Sequence, residues 1–263
     1  MSQTGSPTSA VMNSLLNAAQ EEGIISQDTR DMMCVSLNDQ TLAGCAGVDV
    51  EDIESNDVTL VTVIVDETGS IAGCEQDVRQ GQNEMVKSFV DSKQRDSILL
   101  GQWRLYDPKP YHSYLPVSQA TLLDASNYRA DAPSTPLYDR WIDAVTANVA
   151  YAQQLRAAGT PVRSICVVLT DGGDNSSTHR ATDCLKLNTD LLKSEQFVLA
   201  FIGIGDAAEF NRIAKSMGIP AGSVLVAGSS ASEMRRVFRL LSQSVIRASQ
   251  TGNPSQAQNN FFS

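Results

Sequence analysis

Between Val58 and Ser70 the chain changes character within a single residue. Val58 to Val65 is almost wholly apolar and rich in β-branched side chains. Such a run reads as a strand buried on both faces, as in the centre of a parallel sheet. Asp66, Thr68 and Ser70 then alternate with Glu67 and Gly69. A chain leaving the strand in extended form carries these three side chains to one side. Gly69 is expected to let the backbone turn closely. One carboxylate and two hydroxyls at a strand's carboxyl end are hard oxygen donors, the set that suits a small divalent cation. Asp, Thr, Gly and Ser are also ordinary loop residues, so this stretch needs support from elsewhere.

Two later stretches supply it. Ser164 to Leu169 is a second apolar strand, followed at once by Thr170-Asp171-Gly172-Gly173-Asp174-Asn175. Before it, Pro133-Ser134-Thr135-Pro136-Leu137 opens a helix expected to run to about Arg156, with Pro136 at its first position and Thr135 as its N-cap. Its inner stripe is Leu137, Trp141, Val145, Val149, Ala152 and Leu155. A helix over about 76–92 separates the first strand from a hairpin over 97–106 and 111–117, broken by Asp107-Pro108-Lys109-Pro110. Later come a helix over 180–194, a strand from Phe197 to Ile202, a helix over 207–217, a short strand near 223–226 and a long helix over 230–248. Alternating strands and helices predict an α/β fold: a doubly wound, mainly parallel sheet with helices on both faces and one antiparallel edge strand. Ligands of such sheets bind outside the carboxyl ends of the strands, where both polar clusters fall.

The flanks read differently. Residues 1–57 divide into a start expected to be disordered and a small helical appendage, with helices near 11–19 and after Ser26. The main domain spans 58–248, and the Gln/Asn/Ser-rich tail 249–263, ending in Phe261-Phe262, is expected to be disordered. With 30 acidic and 20 basic residues the net charge is -10, which disfavours a nucleic-acid partner. The densest basic group, Arg235, Arg236, Arg239 and Arg247, reads as a solvated helix face. No apolar run is long enough to span a bilayer, and no signal peptide is expected from Met1 to Ala10. Five cysteines with no Cys-x-x-Cys pair suggest reduced thiols and a cytoplasmic setting.

Asp66-x-Thr68-x-Ser70, Thr135 before its proline and Asp171 in Thr-Asp-Gly-Gly together resemble a von Willebrand factor type A domain with a metal-ion-dependent adhesion site. The resemblance covers about 58–248, and the Ser-Thr-Pro-Leu-Tyr-Asp and Leu-Thr-Asp-Gly-Gly-Asp strings are most similar to bacterial intracellular members. Thr68 stands where that family usually has Ser, a change that keeps the hydroxyl. The resemblance implies Mg²⁺, with Mn²⁺ or Ca²⁺ as alternatives, held by Asp66, Thr68, Ser70, Thr135 and Asp171. Gly69, Asp174 and His179 would lie at the rim or behind the ligands. It further implies a protein partner that presents Asp or Glu to the metal, and bacterial relatives often work beside ATPase-containing complexes.

Rival readings stay open. A Mg²⁺-dependent hydrolase or phosphatase of the haloacid-dehalogenase kind would need a second Asp two residues after Asp66, where Thr68 stands. A structural scaffold with a non-functional site has no need of five ligand-type residues. Gly203-x-Gly205-x-x-Ala208 matches a dinucleotide fingerprint in form, but no acidic residue closes the following strand, so it reads as a tight strand-to-helix turn. No catalytic residue is assigned, and the chain is read as a binding protein rather than an enzyme.

Overall fold

The computed structural model describes residues 5–53, 55–250 and 260–262. Six strands form one sheet: β1 (Val58–Val65), β2 (Ile98–Arg104), β3 (His112–Pro116), β4 (Val162–Thr170), β5 (Phe197–Ile204) and β6 (Val224–Ala227). Their order is β3-β2-β1-β4-β5-β6. All neighbours are parallel except β2 and β3, which form the antiparallel edge hairpin. The chain winds outward from β1 in both directions, so the switch point lies between β1 and β4, at the head of the sheet.

Every residue of β1 and of β5 is buried. Their side chains alternate between two cores, as a pleat requires. Leu60, Ile64, Cys166, Val168, Leu199 and Phe201 face one core. Val61, Val63, Val65, Val167, Leu169 and Ala200 face the other. Helices cover both faces. The second core is closed by α4 (Glu75–Val90) and α8 (Ala231–Gln250), and the first by α5 (Leu137–Ala157), α6 (Ala181–Lys193) and α7 (Ala207–Ser216). In α4, Gly81 allows the close approach of α8, since a Cβ there would stand 2.1 Å from the Phe238 ring.

The N-terminal helices α1 (Ser9–Glu21), α2 (Gln27–Val35) and α3 (Asp39–Gly44) share the first core. Met12, Leu16, Ala19 and Met33 are buried with Trp141, Val145 and Tyr151 of α5. Gly44 sits flat on Trp103 of β2, where a Cβ would come within 1.9 Å of the ring. The expected appendage is therefore an outer layer of the main fold. Ser26 caps α2 as expected, its hydroxyl accepting from Thr29 N.

At the other end, α8 runs to Gln250 and Phe261 is only 1% exposed in the second core. The Arg247 guanidinium holds the Phe261 carbonyl at 2.6 Å. The expectation of a disordered tail is thus corrected for 260–262, because the large apolar side chain of Phe261 finds a site beside α8. Residues 251–259 and 263 lie outside the described residues.

Gly203 and Gly205 behave as the tight turn expected of them. A Cβ on Gly203 would meet Phe210 at 2.3 Å, and Gly205 has φ +138°.

Candidate metal centre

The parallel register pairs Val65 with Leu169, so the next residues, Asp66 and Thr170, stand side by side at the head of the sheet. Asp66 is fully buried. One carboxylate oxygen accepts from Thr68 N at 2.8 Å. The other accepts from the Thr170 hydroxyl at 2.6 Å and from Asp171 N at 3.4 Å. Its carbonyl accepts from the Tyr128 hydroxyl at 2.7 Å. These bonds fix the carboxyl group of Asp66 beneath the loop that follows β1.

Above it, three side chains form a chain. The Thr68 and Ser70 hydroxyls are 3.0 Å apart, and Ser70 donates to Asp171 Oδ1 at 2.7 Å. Thr68 is nearly buried, Ser70 is exposed and Asp171 is intermediate. The loop carrying Thr68 is pinned by Ala132: Gly69 N donates to its carbonyl and its own N–H donates to Glu67 O, both at 3.0 Å. Gly69 is not needed for a special backbone conformation. Its φ is not positive, and a Cβ would meet nothing closer than Ala132 O at 3.8 Å. The turn after Thr68 is a 3-10 turn over Gly69–Cys74 that any residue could enter.

Thr135 is 4% exposed and lies against the Asp171 loop, its hydroxyl 3.7 Å from where a Cβ on Gly172 would stand. It is not the N-cap of α5. Pro136 takes that place with ψ 61°, and the helix starts at Leu137. The backbone of Thr135 is engaged elsewhere: its N–H donates to Asn175 Oδ1 at 2.7 Å, and Asn175 N donates back to its carbonyl at 3.1 Å. The Ser177 hydroxyl caps α5 instead, accepting from Tyr138 N at 3.1 Å and Asp139 N at 3.0 Å. Asp174 accepts from Ser177 and, at 3.4 Å, from Tyr138 N. The loop after β4 therefore supplies Asp171 and also holds Thr135 in place.

Burial pushes the Asp171 carboxyl up from its ordinary value; the Ser70 hydrogen bond opposes this, and the Asp66 charge adds to it. Burial likewise raises Glu67, whose carboxylate accepts from Asp107 N at 2.7 Å and faces Arg104 at 3.4 Å. Among the described residues no group of three or more His, Cys, Asp and Glu side chains could hold a metal. Here two carboxylates are completed by hydroxyls. Hard oxygen donors of this mixture fit Mg²⁺, which keeps several waters and needs few protein carboxylates.

His179 does not turn toward this chain of donors. Its Nδ1 lies 2.7 Å from Asp139 Oδ1 and its Nε2 2.9 Å from Ser36 Oγ. Backbone N–H groups of Thr178 and His179 also donate to Asp139, both at 2.8 Å. The series resembles a Ser-His-Asp relay. However, the Ser36 hydroxyl also lies 2.8 Å from Met32 O at the end of α2, and the neighbouring N–H donors are spent on Asp139. It works as a clamp between α2, α5 and the loop after β4. Sequence reasoning missed Thr170, Glu67 and this clamp. Only Thr170 left a signal, through its place opposite Asp66 in the register.

No protein-family model matches the sequence, and no curated protein sequence matches it. Solved structures do resemble it. The pilus adhesin SpaC of Lactobacillus rhamnosus GG, in an open conformation, superposes with TM-score 0.52 at 13% identity, over 74% of this chain and 30% of that one. The chain thus spans less than a third of that adhesin's length, and the likeness is one of fold. Proximal thread matrix protein 1 of the mussel byssus gives TM-score 0.47 at 15% identity, over 73% and 46% of the two chains. The manganese-loaded Plasmodium vivax TRAP protein gives TM-score 0.34 at 19% identity, over 70% and 74%.

Proposed function

We propose that this chain is a metal-dependent protein-binding domain of the von Willebrand factor A type. The observation that carries the reading is the hydrogen-bonded series Thr68–Ser70–Asp171 above the buried carboxylate of Asp66. The parallel register of β1 and β4 builds that series at the head of the sheet. Thr68, Ser70, Thr135, Asp66 and Asp171 are the residues that would hold Mg²⁺, or Mn²⁺ or Ca²⁺ in its place. Bound there among neutral hydroxyls, the cation supplies an electron-poor position for an Asp or Glu of another protein. Asn175 positions Thr135, and Asp174 holds the Ser177 hydroxyl at the start of α5. His179 acts behind the rim through its clamp.

The reading is of a binding protein rather than an enzyme, because it gives the Thr68, Ser70 and Thr135 hydroxyls to the cation rather than to a substrate. The five cysteines are all free, which supports a reducing compartment such as a bacterial cytoplasm. No helix of the described residues is long and apolar enough to cross a membrane. A complex containing an ATPase is the kind of assembly the resemblance suggests for the partner.

The test is affinity capture on the immobilised chain in Mg²⁺, followed by elution with EDTA. A partner retained by wild type, released by EDTA, displaced by a Glu-containing peptide and absent from a Ser70→Ala column supports the reading. Retention that ignores both EDTA and the substitution contradicts it.

A further inference from the structure

The groove between α4 and α8 carries charge that the metal centre does not use. Arg235, Arg236 and Arg239 of α8 are exposed and line a cleft of about 500 Å³, with Lys87 of α4 on the opposite wall. Arg247, the fourth arginine of the helix, is spent on the Phe261 carbonyl. Among the described residues the other three guanidinium groups have neither an ion pair nor a hydrogen bond, although Glu84 and Asp91 border the same cleft. In a chain with net charge -10, this cleft gathers three arginines and a lysine against two carboxylates.

Arg235 and Arg239 are four residues apart, where like charges destabilise a helix. Glu233, the one acidic residue of α8, is drawn away to the Ser230 hydroxyl at 3.1 Å. The serines of the cleft add no counter-charge, since Ser88 and Ser242 donate back to their own helices. A sequence that sets aside local rules at one place points to a ligand there.

We infer that the α4–α8 groove docks an acidic segment of a partner protein, rich in Asp or Glu. Planar guanidinium groups on successive turns suit a series of carboxylates, each able to accept two parallel hydrogen bonds. A cleft admits the side chains of a peptide. A nucleic acid would meet the field of a chain with net charge -10 outside these few cations. The groove lies on the helical flank of the second core, apart from the residues proposed to hold the metal.

The test uses the full chain in EDTA, so that the metal centre makes no contribution. A fluorescent oligoglutamate peptide is titrated by anisotropy against wild type, against R235E/R236E/R239E and against Lys87→Glu. Arg95→Glu, a change at an exposed arginine outside this groove, serves as the control, and circular dichroism checks the fold of each variant. Saturable binding that weakens about tenfold or more in the triple variant, less in Lys87→Glu and not in Arg95→Glu is expected, with affinity falling as salt rises. Four results would overturn the inference: no saturable binding, equal binding by the triple variant, tighter binding of a phosphodiester oligonucleotide of the same length, or self-association of the chain that the triple variant abolishes. Loss of the Mg²⁺ response alone would count against the metal reading and leave this one standing.

Discussion

Ser70 donates its hydroxyl proton to Asp171 across 2.7 Å, joining the loop after β1 to the loop after β4. The two residues are 101 positions apart, so the bond exists only because β1 and β4 are parallel neighbours. Ser70 is exposed, so its removal opens the Thr68 hydroxyl, its partner at 3.0 Å, to water rather than sealing it in the core. Ser70→Ala is therefore expected to change folding stability by less than about 1 kcal/mol. It is expected to weaken Mg²⁺ binding by about tenfold or more. Isothermal titration alongside urea unfolding separates the two effects.

Asp66 behaves in the opposite way. Its buried carboxylate accepts from Thr68 N and from the Thr170 hydroxyl. Asp66→Ala leaves the Thr68 N–H without an acceptor, at a cost of about 1–3 kcal/mol, while the Thr170 hydroxyl keeps the Gly172 carbonyl at 2.9 Å. Urea unfolding in EDTA should show this loss without any metal. A variant as stable as wild type would mean that the carboxylate does not organise the strand ends.

Asn175 holds the Thr135 backbone twice: its side-chain oxygen accepts from Thr135 N at 2.7 Å, and its own N–H donates to the Thr135 carbonyl at 3.1 Å. Asn175→Ala removes the acceptor for a buried N–H and frees the Thr135 loop. The expected cost is about 1–3 kcal/mol in stability, and the expected loss in Mg²⁺ affinity is about 10–100-fold. An Asn175→Asp variant keeps the acceptor and should recover most of the stability.

Much of this was legible in the sequence, and the reason is physical. Val58 to Val65 and Ser164 to Leu169 are apolar on both faces, which a central parallel strand requires. Asp66 and Asp171 follow such strands at once, so the sheet alone brings them together. What stayed hidden depends on residues meeting across long separations with no periodic signal. Ser36 and His179, 143 positions apart, meet in the clamp. Ser177 caps α5 from 38 positions away, in place of the local Thr135. Gly44 against Trp103 shows that the N-terminal helices lie on the sheet, and the spacing of their own apolar residues gave only an amphipathic stripe. Phe261 looked like part of a polar tail because its composition outweighed one large apolar side chain.

Asp190 of α6 makes α2 docking sensitive to acid. Burial works against its charge, but hydrogen bonds from Ser26 and Thr29 outweigh this and hold the carboxyl below its ordinary value. The Ser26 N and Thr29 Oγ1 bonds to Asp190 Oδ2 are 2.9 and 2.6 Å. A carboxyl depressed in the folded state stabilises above its unfolded pKa, and that contribution is lost as pH falls through the folded value. Asp190→Asn should therefore be less stable than wild type near neutral pH. The difference should shrink as pH drops below about 4, as followed by urea unfolding at each pH. A difference that stays constant with pH would remove the charge from the account.

The most direct measurement is thermal unfolding of wild type and Asp171→Asn, first in EDTA and then with a large excess of Mg²⁺. The Asn side chain can still accept from Ser70, so the geometry is kept while the charge is lost. Burial disfavours that charge in Asp171, so in EDTA the variant should be at least as stable as wild type. With Mg²⁺ at about 100 times its Kd, wild type should gain about 2.7 kcal/mol and the variant far less. An equal Mg²⁺ shift in both proteins, or none in wild type, would contradict a metal centre at the head of β1 and β4.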